Sequence, residues 1–232
     1  MNVADSIRYV NFYHGLRRLP RRQAYAVAQV MWHYVSLDKC IKRFQRLGGV
    51  HCLPGCGSCC EGRNVEATVL EMMPMAVALY RLKECGQWQE DALFSAKEPL
   101  CIFYNKDNSV CGSGCCSMYH FRPLLCRLFG FSVRKNKHGQ MEFFTCARIR
   151  TADPRVYERV QGLIKEGMAV PMMTDFSMRV YSIDPYLSRE RLPVTQALQR
   201  AYENVAFLCG QKAKSRRAFF FWTQKADASL LG

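Results

Sequence analysis

The sequence predicts a helix-rich α+β fold, with amphipathic helices flanking an irregular cysteine core that carries one small β-hairpin. Three observations lead there. Apolar residues between Arg21 and Leu47 recur at helical spacing. Two short runs, Phe131–Val133 and Phe143–Thr145, have strand character and are joined through a polar loop containing Gly139. Of the thirteen cysteines, all but Cys40 and Cys209 lie between residues 52 and 146.

Taken in order, the first 49 residues read as a basic helical segment. Ala24, Val27, Ala28, Met31, Tyr34, Val35, Cys40, Ile41, Phe44 and Leu47 define its apolar stripe, and Gly48-Gly49 ends it. Residues 50–150 form the cysteine region. Within it, 65–83 reads as a short extended piece followed by a helix, with Thr68 and Glu71 spaced as a capping box. Pro74 predicts that this helix starts late or kinks. The hairpin at 131–145 is expected to bring Cys146 back toward the other cysteines. Residues 151–232 are a C-terminal helical region, with helices over 154–166 and 193–210, each with proline in its first turn. A tail over 212–222 joins basic residues to the aromatic run Phe219–Trp222. With no repeats and no low-complexity linker, 1–232 reads as one compact unit.

The chain carries a formal net charge of +14, which favours acidic partners such as nucleic acid, anionic lipid or an acidic protein. No run is apolar enough for a membrane span, and no export signal is convincing, which predicts a cytoplasmic protein. Neither the phosphate-cradling G-x-x-x-x-G-K-[ST] loop nor the dinucleotide-binding G-x-G-x-x-G pattern occurs. H-E-x-x-H and G-x-S-x-G are absent too.

The chemistry lies in the cysteines. Residues 51–60 read HCLPGCGSCC and 111–116 read CGSGCC. A disulfide framework needs an oxidising compartment and an even count. Buried packing suits Cys40, Cys85 and Cys209, which sit among apolar residues at helical spacing. It does not suit Cys59-Cys60 and Cys115-Cys116, which have Gly55, Gly57, Gly112 and Gly114 beside them. Glycine lets a chain turn tightly enough to aim several sulfurs at one point. Metal ligation is therefore the prediction, by thiolates that suit zinc, copper(I) or iron–sulfur clusters. The core becomes metal-stapled, with adjacent cysteines able to serve two metals or bridge a cluster. His51 and His120 stand next to cluster residues but read as capping or exposed groups.

The run CGSGCCSMYHFRPLLCRLFGF (111–131), with CLPGCGSCC (52–60) and PLCIFY (99–104), resembles the YkgJ-type cysteine-cluster family. Its members are described as chelating zinc or iron through a CxxCxxCC motif. The resemblance covers roughly 52–146. It implies that Cys56, Cys59, Cys60, Cys101, Cys116, Cys126 and Cys146 are ligands, with Tyr119, Arg122, Pro123 and Arg127 completing the second motif. Cys52 stands one residue further from Cys56 than the family pattern has it, and Cys111 and Cys115 are additional. The predicted ligand set is Cys52, Cys56, Cys59, Cys60, Cys101, Cys111, Cys116, Cys126 and Cys146, nine thiols for about eight positions, with Cys115 in reserve. Arg122 and Arg127 flank Cys126 and are expected to offset thiolate charge, while Tyr119, Phe121, Leu124, Leu125, Leu128, Phe129 and Phe131 form an apolar jacket.

The function this predicts is binding of zinc or iron in a structural or metal-handling role. The alternative is an iron–sulfur or iron-dependent enzyme for redox or methyl transfer, by analogy with the flagellin lysine-N-methylases, which carry a similar motif. A zinc-stabilised adaptor for nucleic acid or an acidic protein is the third possibility, and a scaffold using the N-terminal helix or the aromatic tail is the fourth.

Overall fold

The computed structural model describes residues 3–53, 56–60, 65–86, 89, 91, 101–105 and 115–228. Helices dominate: α1 (Val3–Leu16), α2 (Arg21–Gly48), α3 (Val69–Glu84), α4 (Leu124–Leu128), α5 (Ala147–Ala152), α6 (Val156–Lys165), α7 (Met173–Tyr181) and α8 (Val194–Ala228). Among the described residues, three two-stranded antiparallel pairs accompany them. β1 (Glu66–Thr68) pairs with β6 (Arg191–Pro193), β2 (Tyr104–Asn105) with β3 (Cys115–Cys116), and β4 (Ser132–Lys135) with β5 (Met141–Phe144). The fold is the expected helix-rich α+β arrangement.

α2 starts directly after Pro20 and stops where Gly49 adopts a left-handed conformation, φ 62°. Its buried face is Val27, Val30, Met31, Tyr34, Leu37, Ile41, Phe44 and Gly48. Val35 and Leu47, expected on that face, are 44% and 49% exposed. Val30 and Leu37, which share a face with Tyr34 and Ile41, are buried in their place.

α3 is the centre of the larger core, with every residue from Leu70 to Leu79 buried. A helix apolar on all sides has to be enclosed, and α1, α2, α8 and β1 pack around it. Gly15 lets α1 approach closely: a Cβ there would stand 2.6 Å from Val77 Cγ1 and 2.9 Å from the Val77 carbonyl oxygen.

The capping box forms as expected. The Thr68 hydroxyl accepts the Glu71 N–H at 3.2 Å, and the Thr68 N–H donates to Glu71 Oε2 at 2.9 Å. That cap starts the helix at Val69, so Pro74 lies inside it and the late start is not observed. A proline disturbs the carbonyls one turn before it. Pro74 offers no N–H to the Leu70 carbonyl, and the next carbonyl, of Glu71, accepts the Tyr34 hydroxyl at 2.7 Å.

α8 overturns two boundaries. Pro193 belongs to β6, opposite Glu66, and the helix begins only at Val194. It then continues through the expected stop near Gly210 as far as Ala228. The side chains of the 212–222 tail lie outside the described residues. Pro154 likewise precedes its helix, since α6 begins at Val156.

A smaller apolar cluster joins the far end of α2 to the hairpin and to α5 and α6. It contains Phe44, Val133, Phe143, Ile149, Val156 and Val160. Gln161 ties the hairpin to α6, accepting the Phe143 N–H at 3.1 Å and donating to the Met141 carbonyl at 2.7 Å. Among the described residues, no helix is long and apolar enough to cross a membrane.

Candidate metal centre

Four separate stretches of chain bring the cysteines together. The first, 52–60, is held by backbone bonds from Cys56 N–H to the Leu53 carbonyl (3.1 Å) and from Cys60 N–H to the Gly57 carbonyl (2.8 Å). It ends in a 3-10 turn at Ser58–Cys60. The second, 101–105, is hydrogen-bonded to the first through Cys101 N–H and the Cys60 carbonyl, at 3.3 Å. It pairs with the third through β2–β3, which sets Tyr104 opposite Cys116 and Asn105 opposite Cys115.

The third stretch continues through a 3-10 turn at Tyr119–Phe121 into α4, which carries Cys126. Pro123 is at the N-cap of α4, so the preceding Arg122 is extended, as expected of a residue before proline. The hairpin delivers the fourth stretch. Cys146 caps α5, its Sγ accepting the Ile149 N–H at 3.4 Å. Gly130 (φ 86°) lies beside it, where the left-handed backbone favours glycine and an added Cβ would stand 3.1 Å from Ile149 Cδ1.

Two arginines position this assembly in different ways. Arg127 is buried, and its guanidinium donates to Asp38 on α2 at 2.6 Å, to the Arg122 carbonyl at 2.7 Å and to the His120 carbonyl. It also lies over the Tyr34 ring at 4.3 Å. Arg127 therefore fastens the 119–128 segment to α2. Arg122 stacks on Tyr119 at 3.5 Å and donates to the Tyr119 and Cys126 carbonyls at 2.9 and 3.4 Å. Its positive charge favours the thiolate forms of Cys59, Cys116 and Cys126.

The sulfurs form two adjoining groups. In the inner one, the buried Cys60 thiol is hydrogen-bonded to both Cys59 and Cys116, which holds the Cys60 proton in place and raises its pKa. Hydrogen bonding with Cys60 lowers Cys59 to about 6, and is also the largest cause that lowers Cys116. Burial pushes Cys101 up to about 11 and Cys126 up to about 12, and both feel the charge of Cys59 and Cys116. In the outer group, Cys52 is raised to about 11 by burial and by its bond with Cys56, and Cys146 and Cys59 also act on it. Arg148 Nη1 lies 3.9 Å from Cys56 Sγ.

All the described cysteines are free thiols. Among the described residues, no three Cys, His, Asp or Glu side chains are already arranged around one point as a bound ion would require. The donor set nonetheless fits a thiophilic metal: the sulfurs are gathered, not joined in disulfides, and close to positive charge.

Of the nine predicted ligands, eight are gathered here. Cys111 lies outside the described residues, as do Gly55, Gly112 and Gly114. The apolar jacket divides: Phe121, Leu124 and Leu128 are buried in the main core, whereas Tyr119 and Phe129 are 52% and 42% exposed. Cys209 is buried as a packing residue, Cys40 is half-buried, and Cys85 is exposed at the C-cap of α3.

A cavity of about 720 Å³ opens beside the sulfurs, with Cys52, Cys56, Cys59, Cys115, Cys126 and Cys146 on its wall. Cys115, held in reserve on sequence grounds, therefore faces the same space. Sequence reading missed the opposite wall: Asp38, Ile41, Lys42 and Gln45. Their spacing along α2 puts them on one helix face. The signal was a run of polar residues beside the apolar stripe.

Comparison with known proteins agrees with this geometry. Residues 51–147 match the CxxCxxCC family model, described as a "putative zinc- or iron-chelating domain". The matched segment spans all four cysteine stretches and ends one residue after Cys146. No curated protein and no solved structure matches the chain.

Proposed function

We propose that the protein binds zinc or iron through this thiol cluster and that the metal holds the cysteine region in shape. The ligands on this reading are Cys59, Cys60, Cys101, Cys116 and Cys126 in the inner group and Cys52, Cys56 and Cys146 in the outer. Cys111 completes the predicted set. The observation that carries the reading is the convergence of thiols from four separate stretches of chain on one place. A bound metal would cross-link those stretches, which is what thiolate zinc and iron–sulfur centres supply. Closing the sulfurs on an ion requires rotamer changes at individual cysteines and expels the protons that Cys60 and its neighbours hold.

A second reading, an iron-dependent reaction at the cluster, is favoured by one observation: the cavity gives a small molecule access to the sulfur wall. A closed structural site needs no such space.

The test is metal analysis of protein purified without oxygen, alongside Cys60→Ser, Cys126→Ser and Cys209→Ser. The first two variants are expected to lose most of the bound metal, whereas Cys209→Ser retains it. Full metal content in Cys60→Ser and Cys126→Ser would overturn the assignment. Colour and sulfide with the iron would favour the second reading over the first.

A further inference from the structure

The cavity is much larger than a metal ion, and it lies within the roughly 300–1,000 Å³ typical of small-molecule sites. Its lining has a pattern that metal binding does not explain. Leu53, Tyr119, Phe129 and Phe144 all line it, and all are between 42% and 52% exposed. Large apolar side chains left in water and gathered around one opening mark a binding site for an apolar body.

The charge of the lining is equally one-sided. Asp38 is its one carboxylate, and the Arg127 guanidinium already lies 2.6 Å from it. Arg122 is turned toward the sulfurs and their backbone. Lys42, exposed on the α2 wall, makes no ion pair among the described residues. Arg148 adds a second cation, over Cys56.

We infer that the cavity binds an amphipathic organic anion of metabolite size. Its apolar body lies against Leu53, Tyr119, Phe129 and Phe144, and its carboxylate, sulfonate or phosphate group lies toward Lys42. The inference deepens the metal reading, because a ligand seated there abuts the outer thiols and any metal they hold. It stands on the lining alone, however, so the two are tested separately.

The probe is 8-anilinonaphthalene-1-sulfonate, an apolar anion whose fluorescence reports its seat, titrated into the protein as purified. One saturable site per chain is expected. Lys42→Glu is expected to weaken binding about fivefold, since it reverses a single exposed charge. Phe144→Ser is expected to weaken it about tenfold, through lost apolar contact. Both residues are exposed, so metal content and melting temperature should match the unsubstituted protein in both variants. Absence of a saturable site, or an affinity that either substitution leaves unchanged, would overturn the inference. Neither result bears on metal content, which is read independently on the same samples.

Discussion

α3 and the 115–131 segment are in contact, yet they are held in different ways. α3 is a sixteen-residue helix capped by Thr68 and Glu71, with its whole middle buried among other long helices. The 115–131 segment is made of a two-residue strand, a three-residue turn and a five-residue helix. Elements that short have little stability alone, because nucleating a helix or a strand pair costs more than a few hydrogen bonds return. Met118, Phe121, Leu124 and Leu128 anchor the segment to the main core, and Arg127 ties it to α2. Its other face presents sulfur. The contrast is one of fastening: the cysteines lie on short elements that take their anchorage from the core, whereas α3 is part of the core itself.

Truncating the strong side should separate the two regions most clearly. Leu70→Ala removes a fully buried side chain from α3 and is expected to cost about 2–5 kcal/mol in denaturant unfolding. Metal bound per folded chain should stay unchanged. A loss of metal in this variant would mean that the helical core, and not the thiols, sets the site.

The joint between the regions gives a smaller effect. Asp38→Ala leaves the Arg127 guanidinium buried without its carboxylate. Asp38 is itself 39% exposed, so the expected cost is discounted to about 2 kcal/mol. The variant should lower both stability and metal affinity, because the 119–128 segment is released from α2. An effect on stability with affinity intact would show that the segment is positioned by its apolar residues alone.

The third expected effect is read as thiol reactivity and sharpens the description of the thiols. In metal-free protein, the Cys60 hydrogen bond holds Cys59 at about 6, so its thiolate is present at neutral pH. Because this pKa lies below the ordinary thiol value, the associated stabilisation is present above that ordinary value. It is lost as pH falls through about 6. Alkylation of Cys59 by iodoacetamide should accelerate through about pH 6. Cys52 and Cys126, at about 11 and 12, stay slow at neutral pH. Bound metal should block Cys59, and equal rates at all three would contradict the described hydrogen bonding.

What was legible in the sequence follows the same division. Long helices with strong periodicity, the Thr68–Glu71 cap, the Gly49 stop and the hairpin that returns Cys146 were all readable, because each is a local signal. Pro193 was misjudged because the antiparallel pairing of Glu66 with Pro193 is a contact across the fold, invisible locally. The thiols were legible as a set, from spacing and glycine, but not their separation into inner and outer groups. That separation depends on which cysteines the β2–β3 pair and α4 carry inward. The α2 wall of the cavity was missed for a related reason: a polar helix face reads as solvated until another segment is placed against it.

On the proposed function, metal holds the cysteine region while the helical core holds itself. Amide hydrogen exchange, compared between metal-loaded and chelator-treated protein, reads both regions at once. Loss of protection over 52–60 and 115–131 is predicted, with the amides of α3 remaining protected. Unchanged protection over those cysteine stretches after the metal is removed would contradict the account.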